Sequence, residues 1–344
     1  MDFQKPDRIP RRDIFEGPFI EKWKESGGTG NIYANYGKID VQDTFRPFGR
    51  EGILFSKKGI VEEKGNEQYF RDDWGRVLRT RPGGESKQVI SYVLADKAEL
   101  DSLPVESGRN PERLSGILPG LAERKEREAL FAGIMGLFMA CQNIRGITQF
   151  PIDMIEDPPF AGALVEKILS HRIETALYLL ETADLYKTGL WIYDELAMTG
   201  SLWISPDTFE AVLLPAYKKL ISSVKKSGAR HVVLHCDGYS EPLWDMLIDA
   251  GFTGIQSCNP NAGMDLPRMK KKYGGSIVLV GGIDNVNVLR TGPASAIEKQ
   301  VIPVLEAASD GGVVVGPHSV AADIPVAHYE LYYRTVSKFD EQRM

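Results

Sequence analysis

Cysteine and histidine are scarce in this chain, with three Cys and five His among 344 residues. Cysteines at 141, 236 and 258 have no regular spacing and cannot make the disulfide framework of a small secreted domain. A chain this long can bury a sufficient core without one, so a reducing cytoplasmic compartment is expected. Long apolar runs are missing too. None nears the roughly 18–20 residues of a membrane span, and the charged opening MDFQKPDRIPRRD lacks the apolar stretch of a secretory signal. Nor is there an excess of positive charge: 41 Lys+Arg against 47 Asp+Glu leave −6, which argues against nucleic acid as the main partner. P-loops, dinucleotide fingerprints, His-Glu-x-x-His and Gly-x-Ser-x-Gly are absent. GGTG (27–30) and VGGID (280–284) read as turns and close backbone approaches rather than phosphate loops.

What is present is alternation. From about residue 129 the chain repeats a short apolar strand and an amphipathic helix. The strands read LFAGIMG (130–136), GLWIYDE (189–195), HVVLHCD (231–237), TGIQSC (253–258), SIVLVGGID (276–284) and GVVVGP (312–317). One long helix is expected over 159–184, where Leu164, Ile168, Ile173 and Leu180 form a stripe. Another opens on a Ser205 cap with Pro206 at its first position and stops at Gly228. Continuous apolar strands with helical connections imply a parallel sheet covered by helices. Alternation sustained over this length predicts a single (β/α)8 TIM barrel spanning 1–344, with its remaining two strands in the first 128 residues. Residues 52–84, GILFSKKGIVEEKGNEQYFRDDWGRVLRTRPGG, read instead as antiparallel strands with Gly turns, so residues 40–95 are expected to form an N-terminal β insertion covering the barrel mouth.

The scarce residues fall at strand ends, where barrels of this kind collect their chemistry. The ends read Asp194-Glu195, His235-Cys236-Asp237, Ser257-Cys258, Ile283-Asp284 and Pro317-His318. Strand alternation puts His235 and Asp237 on one face and Cys236 on the other. A strand-end His is more often a hydrogen-bonded loop residue than a ligand. Four candidates converging, His235, Asp237, Glu195 and His318, suit a Zn²⁺ site with mixed N/O donors. Cys258 is either a soft ligand or a plain buried thiol. A second set, Glu195, Glu210 and His231, ranks behind, because His231 begins its strand. His171 and His328 fall within helices and read as structural or exposed.

VVLHCDG, NAGMDLPRMKKKYGGSIVLVGGID, VGPHSVAADIPVAHYELYY and YDELAMTGSLWISPDTFEAVLLPAYKKLI together resemble the uroporphyrinogen decarboxylase superfamily. KPDRIP and DDWG are similar to its methyltransferase-like branch. The resemblance is good over 145–338 and loose before 130. It implies a (β/α)8 barrel and one of two activities: cofactor-free decarboxylation of uroporphyrinogen, or zinc-dependent methyl transfer to or from a corrinoid. The decarboxylases carry a segment similar to Met-Arg-Gln-Ala-Gly-Arg, whereas this chain has RRDIFEGPFIEKWKE there. Methyltransferases acting on coenzyme M ligate zinc through His-x-Cys and a distant Cys. Here His235 matches the first position, Asp237 stands at the first Cys, and His318 falls near the second. Harder donors leave zinc more Lewis acidic toward oxygen. The resemblance therefore implies a small-molecule methyl ether donor, with cobalamin on a corrinoid carrier protein as acceptor. Asp237, Asp284 and Tyr193 would be the acid or orienting groups, and Trp74, Phe138, Tyr193 and Trp203 the aromatic lining. A methylcobamide:thiol methyltransferase or uroporphyrinogen decarboxylase, and a non-catalytic tetrapyrrole-binding relative, are the alternatives.

Overall fold

The computed structural model describes residues 3–37, 39–44, 50–81 and 87–343. Its strands in chain order are β1 (Val41–Asp43), β2 (Gly59–Lys64), β3 (Glu67–Arg71), β4 (Val77–Thr80), β5 (Gln88–Ser91), β6 (Ala129–Met135), β7 (Gly189–Tyr193), β8 (Ala197–Met198), β9 (Ser201–Leu202), β10 (His231–His235), β11 (Gly254–Ser257), β12 (Val278–Ile283) and β13 (Val313–Pro317). Seven of these form one parallel sheet in the order β1-β6-β7-β10-β11-β12-β13. The expected TIM-barrel class is thus observed, with helices packed outside the strands.

The ring is closed by the segment around Arg11. Val315 N–H donates to the Pro10 carbonyl at 2.8 Å, Arg12 N–H donates to the Val315 carbonyl at 3.0 Å, and Val41 N–H donates to the Arg11 carbonyl at 3.2 Å. Arg11 therefore stands between β13 and β1 as the eighth stave would. Both short closing pieces are polar, Arg11-Arg12-Asp13 and Gln42-Asp43, and neither reads as an apolar strand.

Strand alternation divides the core in two. Val41, Phe131, Trp191, Val233, Val280 and Val314 meet inside the barrel, while the larger cluster fills the space between strands and helices. Two residues beyond the inward Val41, Trp191 and Val233 stand Asp43, Tyr193 and His235. The same period that packs the barrel interior thus lifts a polar layer to its C-terminal rim.

Helix ends follow local chemistry. The long helix is Pro158–Ala183, capped by Asp157, and Asp184 leaves it at φ 48°. Ser205 caps the next helix by accepting from Thr208 N–H. What was expected to be one helix up to Gly228 is two, Pro206–Val212 and Leu214–Lys226. Pro215 lacks the N–H that would continue the ladder and disfavours helical geometry before it. Among the described residues no helix is long and apolar enough to cross a membrane.

The insertion is an antiparallel sheet, β2-β3-β4-β5. Its expected start at residue 40 is corrected: Val41–Asp43 belongs to the barrel, paired with Ala129–Phe131. The Pro82–Gly84 turn of that reading lies outside the described residues. Glu51 anchors the insertion beside the C-terminal end of β6, accepting from Met135 N–H at 2.9 Å and pairing with Arg172 of the long helix.

Further along, Arg145 reaches over to the Leu94 carbonyl and pairs with buried Asp153 at 2.7 Å. Burial by itself would raise the Asp153 carboxyl. Bonds from Arg145, Gln149 and Lys97 outweigh it and hold the group below the usual carboxylate range. A carboxylate lowered in the folded state stabilises above its unfolded pKa and loses that contribution as pH falls through the folded value. Asp153→Ala should cost about 3 kcal/mol near neutrality, because it strands a buried guanidinium. Urea melts of parent and variant should converge only below about pH 4.

Candidate metal site and cavity

At the C-terminal rim of β7, β10 and β13 the structure opens a cavity of about 540 Å³ whose wall includes Asp43, Met139, Tyr193, Glu195, His235 and His318. Three side chains converge beside it. One donor atom each from His235, Asp237 and His318 lies within 4.8 Å of the others, and the described residues hold no other such group. His235 Nε2 stands 3.3 Å from Asp237 Oδ1 and 3.2 Å from Glu195 Oε1, and His318 Nε2 stands 3.0 Å from Asp237 Oδ2.

The backbone explains the convergence. His235 ends β10 in register with Tyr193 of β7 and Gln256 of β11. The Tyr193 ring lies against it, centroids 4.5 Å apart, and Gln256 Oε1 accepts from Nδ1 on the other side. After His235 the strand continues through Cys236 to Asp237, whose N–H donates to Glu195 Oε2 at 2.9 Å. Gly238 then passes so close to the Ala197 backbone that any Cβ would overlap it. That close approach brings Asp237 and Glu195 together.

Asp194, next to Glu195, faces the opposite way. It accepts from Phe138 N–H at 2.9 Å, Met139 N–H at 2.8 Å and the Tyr217 hydroxyl, fixing the start of the helix Leu137–Arg145. Burial lifts its carboxyl to about 7 against these donors. Asp194 thus carries Met139 to the cavity wall.

The electrostatics are those of a cation site. Burial opposes a charge on His235, and Asp237 and Glu195 outweigh it, raising the ring from its ordinary value. Burial would raise Asp237, and His235 with His318 hold it below the usual range. Asp237 Oδ1 is buried and receives no hydrogen bond. With the proton of His235 on Nδ1, the Nε2 lone pair faces two carboxylate oxygens. Such a cluster of lone pairs needs a positive charge among them, supplied by a proton or a metal ion. Three N/O donors with room for a fourth position fit Zn²⁺ in its catalytic arrangement.

The cysteines do not join this donor set. Cys236 and Cys258 are buried, and burial pushes both thiols up to about 12. Cys236 points into the outer core, as alternation predicts.

Several expected site residues stand elsewhere. His231 begins β10 beside Gly189, at the opposite end of the strand from His235, and Glu210 is exposed on its helix, so Glu195, Glu210 and His231 do not meet. The Asp284 carboxylate accepts from Val286 and Asn287 N–H groups and from the Asn287 amide, capping the turn after β12. Of the four aromatic lining candidates Tyr193 lines the cavity, and the other three are corrected. Trp74 is buried in the insertion with Arg172 over its ring, Phe138 packs on Phe150, and Trp203 joins the outer core. His171, buried against the carbonyls of Glu51 and Glu106, is structural as expected.

Two residues that sequence reasoning missed are Asp43 in the cavity wall and Arg12 next to it, which together hold Tyr193. The Tyr193 hydroxyl donates to Asp43 at 2.7 Å, and fully buried Arg12 pairs with the same carboxylate at 2.5 Å while its guanidinium covers Trp191 at 4.6 Å. A polar residue two places after an inward apolar one was the available signal, in β1 as in β10.

Comparison with known proteins agrees with this architecture. A solved methyltransferase from Methanosarcina mazei superimposes with a TM-score of 0.66 at 17% identity, covering 97% of this chain and 95% of that one. A Shewanella B12-independent methionine synthase, solved with selenomethionine, gives 0.48 at 12% identity over 98% and 94%. No curated protein sequence matches the chain. The family model of uroporphyrinogen decarboxylase (URO-D) matches residues 81–339, a span running from the insertion through the last helix and including every member of the His235–Asp237–His318 cluster, and the chain belongs to that family.

Proposed function

We propose that the protein is a methyltransferase that takes a methyl group from an aryl methyl ether and delivers it to a cob(I)alamin borne by a corrinoid carrier protein. The observation that carries this reading is the donor set of His235, Asp237 and His318 beside the cavity, rich in N and O and free of thiolate. The fold likeness to a methyltransferase is compatible with it.

Zinc held by those three residues would supply Lewis acidity toward the ether oxygen. The chain's own groups do the rest. Glu195 fixes Asp237 through its backbone N–H, and Asp237 in turn sits between the two imidazoles. Tyr193 presents a ring face at the cavity wall, suited to an aromatic substrate, while Asp43 and Arg12 hold its hydroxyl. In the reaction the carbon–oxygen bond breaks, its electron pair stays on the phenoxide, and the methyl carbon joins the cobalt of the carrier, whose Co(I) supplies the bonding pair. A phenoxide is a poor leaving group, so charge stabilisation at its oxygen governs the barrier.

The test is single-turnover methylation of reduced corrinoid carrier with a panel of methoxylated aromatics, followed by loss of cob(I)alamin absorbance. Transfer should require zinc and an ether oxygen. Absence of transfer from every ether in the panel, with zinc-loaded protein, would overturn the reading.

A further inference from the structure

Gln256 interrupts a strand of otherwise small or apolar residues, Gly254–Ser257, and is 1% exposed. Parallel register sets it directly beside His235, as Tyr193 is set on the other flank. Its Oε1 meets His235 Nδ1 within hydrogen-bond distance. An amide oxygen only accepts, so Nδ1 must carry the ring proton. A neutral imidazole has one N–H, which leaves Nε2 with a free lone pair. Nε2 is the nitrogen that faces Glu195 Oε1 at 3.2 Å and Asp237 Oδ1 at 3.3 Å. The Tyr193 ring, 4.5 Å from the imidazole, hinders a flip that would exchange the two nitrogens.

We propose that Gln256 is a positioning residue of the metal site: it holds His235 in the Nδ1–H tautomer and aims Nε2 at the ion. The inference rests on the His235–Asp237–His318 reading given above. Free histidine favours the proton on Nε2, the tautomer that cannot ligate through that atom. Without an acceptor at position 256 the site must therefore reorganise its proton before it can bind. Metal-binding histidines commonly lean on such outer partners, whose loss weakens binding by about 10–100-fold. Gln256 stands outside the cavity wall and acts only through His235.

Two variants separate positioning from packing. Gln256→Leu keeps the volume and removes the acceptor, while Gln256→Glu keeps an acceptor oxygen. Zinc affinity is read by competition with a chromophoric chelator. The His235 tautomer is read on the zinc-free protein by ¹⁵N NMR of labelled histidine, at a pH where the ring is neutral. Expected are a zinc affinity about 10–100-fold weaker for Gln256→Leu, a shift of its His235 proton toward Nε2, and near-parental values of both for Gln256→Glu. Should Gln256→Leu fail to fold, Gln256→Met, of similar length, takes its place with the same readouts. Parental zinc affinity in the folded Leu or Met variant, or an unchanged tautomer, overturns the proposal. If the parent itself binds no zinc, the metal reading fails, and the tautomer measurement still decides whether Gln256 positions His235.

Discussion

His235→Ala protein should fold like the parent by far-UV circular dichroism, yield no stoichiometric zinc on elemental analysis, and lose methyl transfer by roughly a thousandfold or more. That factor corresponds to about 4 kcal/mol of transition-state stabilisation, the scale of Lewis-acid polarisation. His235 stands within 3.3 Å of both Asp237 and Glu195, and its removal leaves His318 and one carboxylate of the donor set, too few to hold the ion. The fold does not depend on it, because the barrel interior below is packed by Trp191 and six other buried apolar side chains. Cys236→Ala is the paired control. Its thiol lies in the outer core, and zinc content should stay at the parental level. A Cys236→Ala protein without zinc would replace the N/O donor set by one using sulfur, and a His235→Ala protein with full zinc would remove His235 from the set.

The second large effect concerns stability. Asp43→Ala should destabilise by about 3–5 kcal/mol, since it leaves a buried charge without its counterion. Arg12 is completely buried, two of its guanidinium nitrogens have no hydrogen-bond partner, and Asp43 with the Tyr193 hydroxyl supplies the polar contacts it does make. Removing the cation together with the anion should restore much of the loss. The double variant Arg12→Met, Asp43→Ala is therefore expected to unfold at a higher urea concentration than Asp43→Ala alone. Equal midpoints would mean that Asp43 stabilises through something other than charge.

The strand-end cluster was legible because two rules act on the same residues. Alternation fixes which of His235, Cys236 and Asp237 face inward, and barrels gather polar groups where strands end. The six strand–helix units from β6 onward were legible for a related reason, as each strand there is buried on both faces. The closing pieces were not. β1 has three residues and two of them are polar, and Arg11 pairs with β13 and β1 without any apolar run of its own. Trp74, Phe138 and Trp203 misled because aromatic content says nothing about facing. Each packs on a neighbour that only the tertiary fold supplies, Arg172, Phe150 and the outer core. Gln256 needed the register of β10 on β11, which one strand's sequence does not contain.

The join at Arg11 also governs how the chain reaches its native state. Besides the Arg11–Val315 bridge, Ile9 N–H donates to Asp340 at 2.9 Å, and Asp13 accepts from Tyr329 and Tyr332 at 3.3 Å each, contacts that span more than three hundred residues. Loop-closure entropy must be met before such distant contacts return anything, and pairings of this separation form slowly. During synthesis the Arg11 segment therefore leaves the ribosome well before β13 and the last helix, and its pairings with them close only once both have emerged. The polar side chains of Arg11, Arg12 and Asp13, costly to bury alone, keep that strand soluble beforehand, and Asp13 gains the Tyr329 and Tyr332 hydroxyls only when the last helix docks.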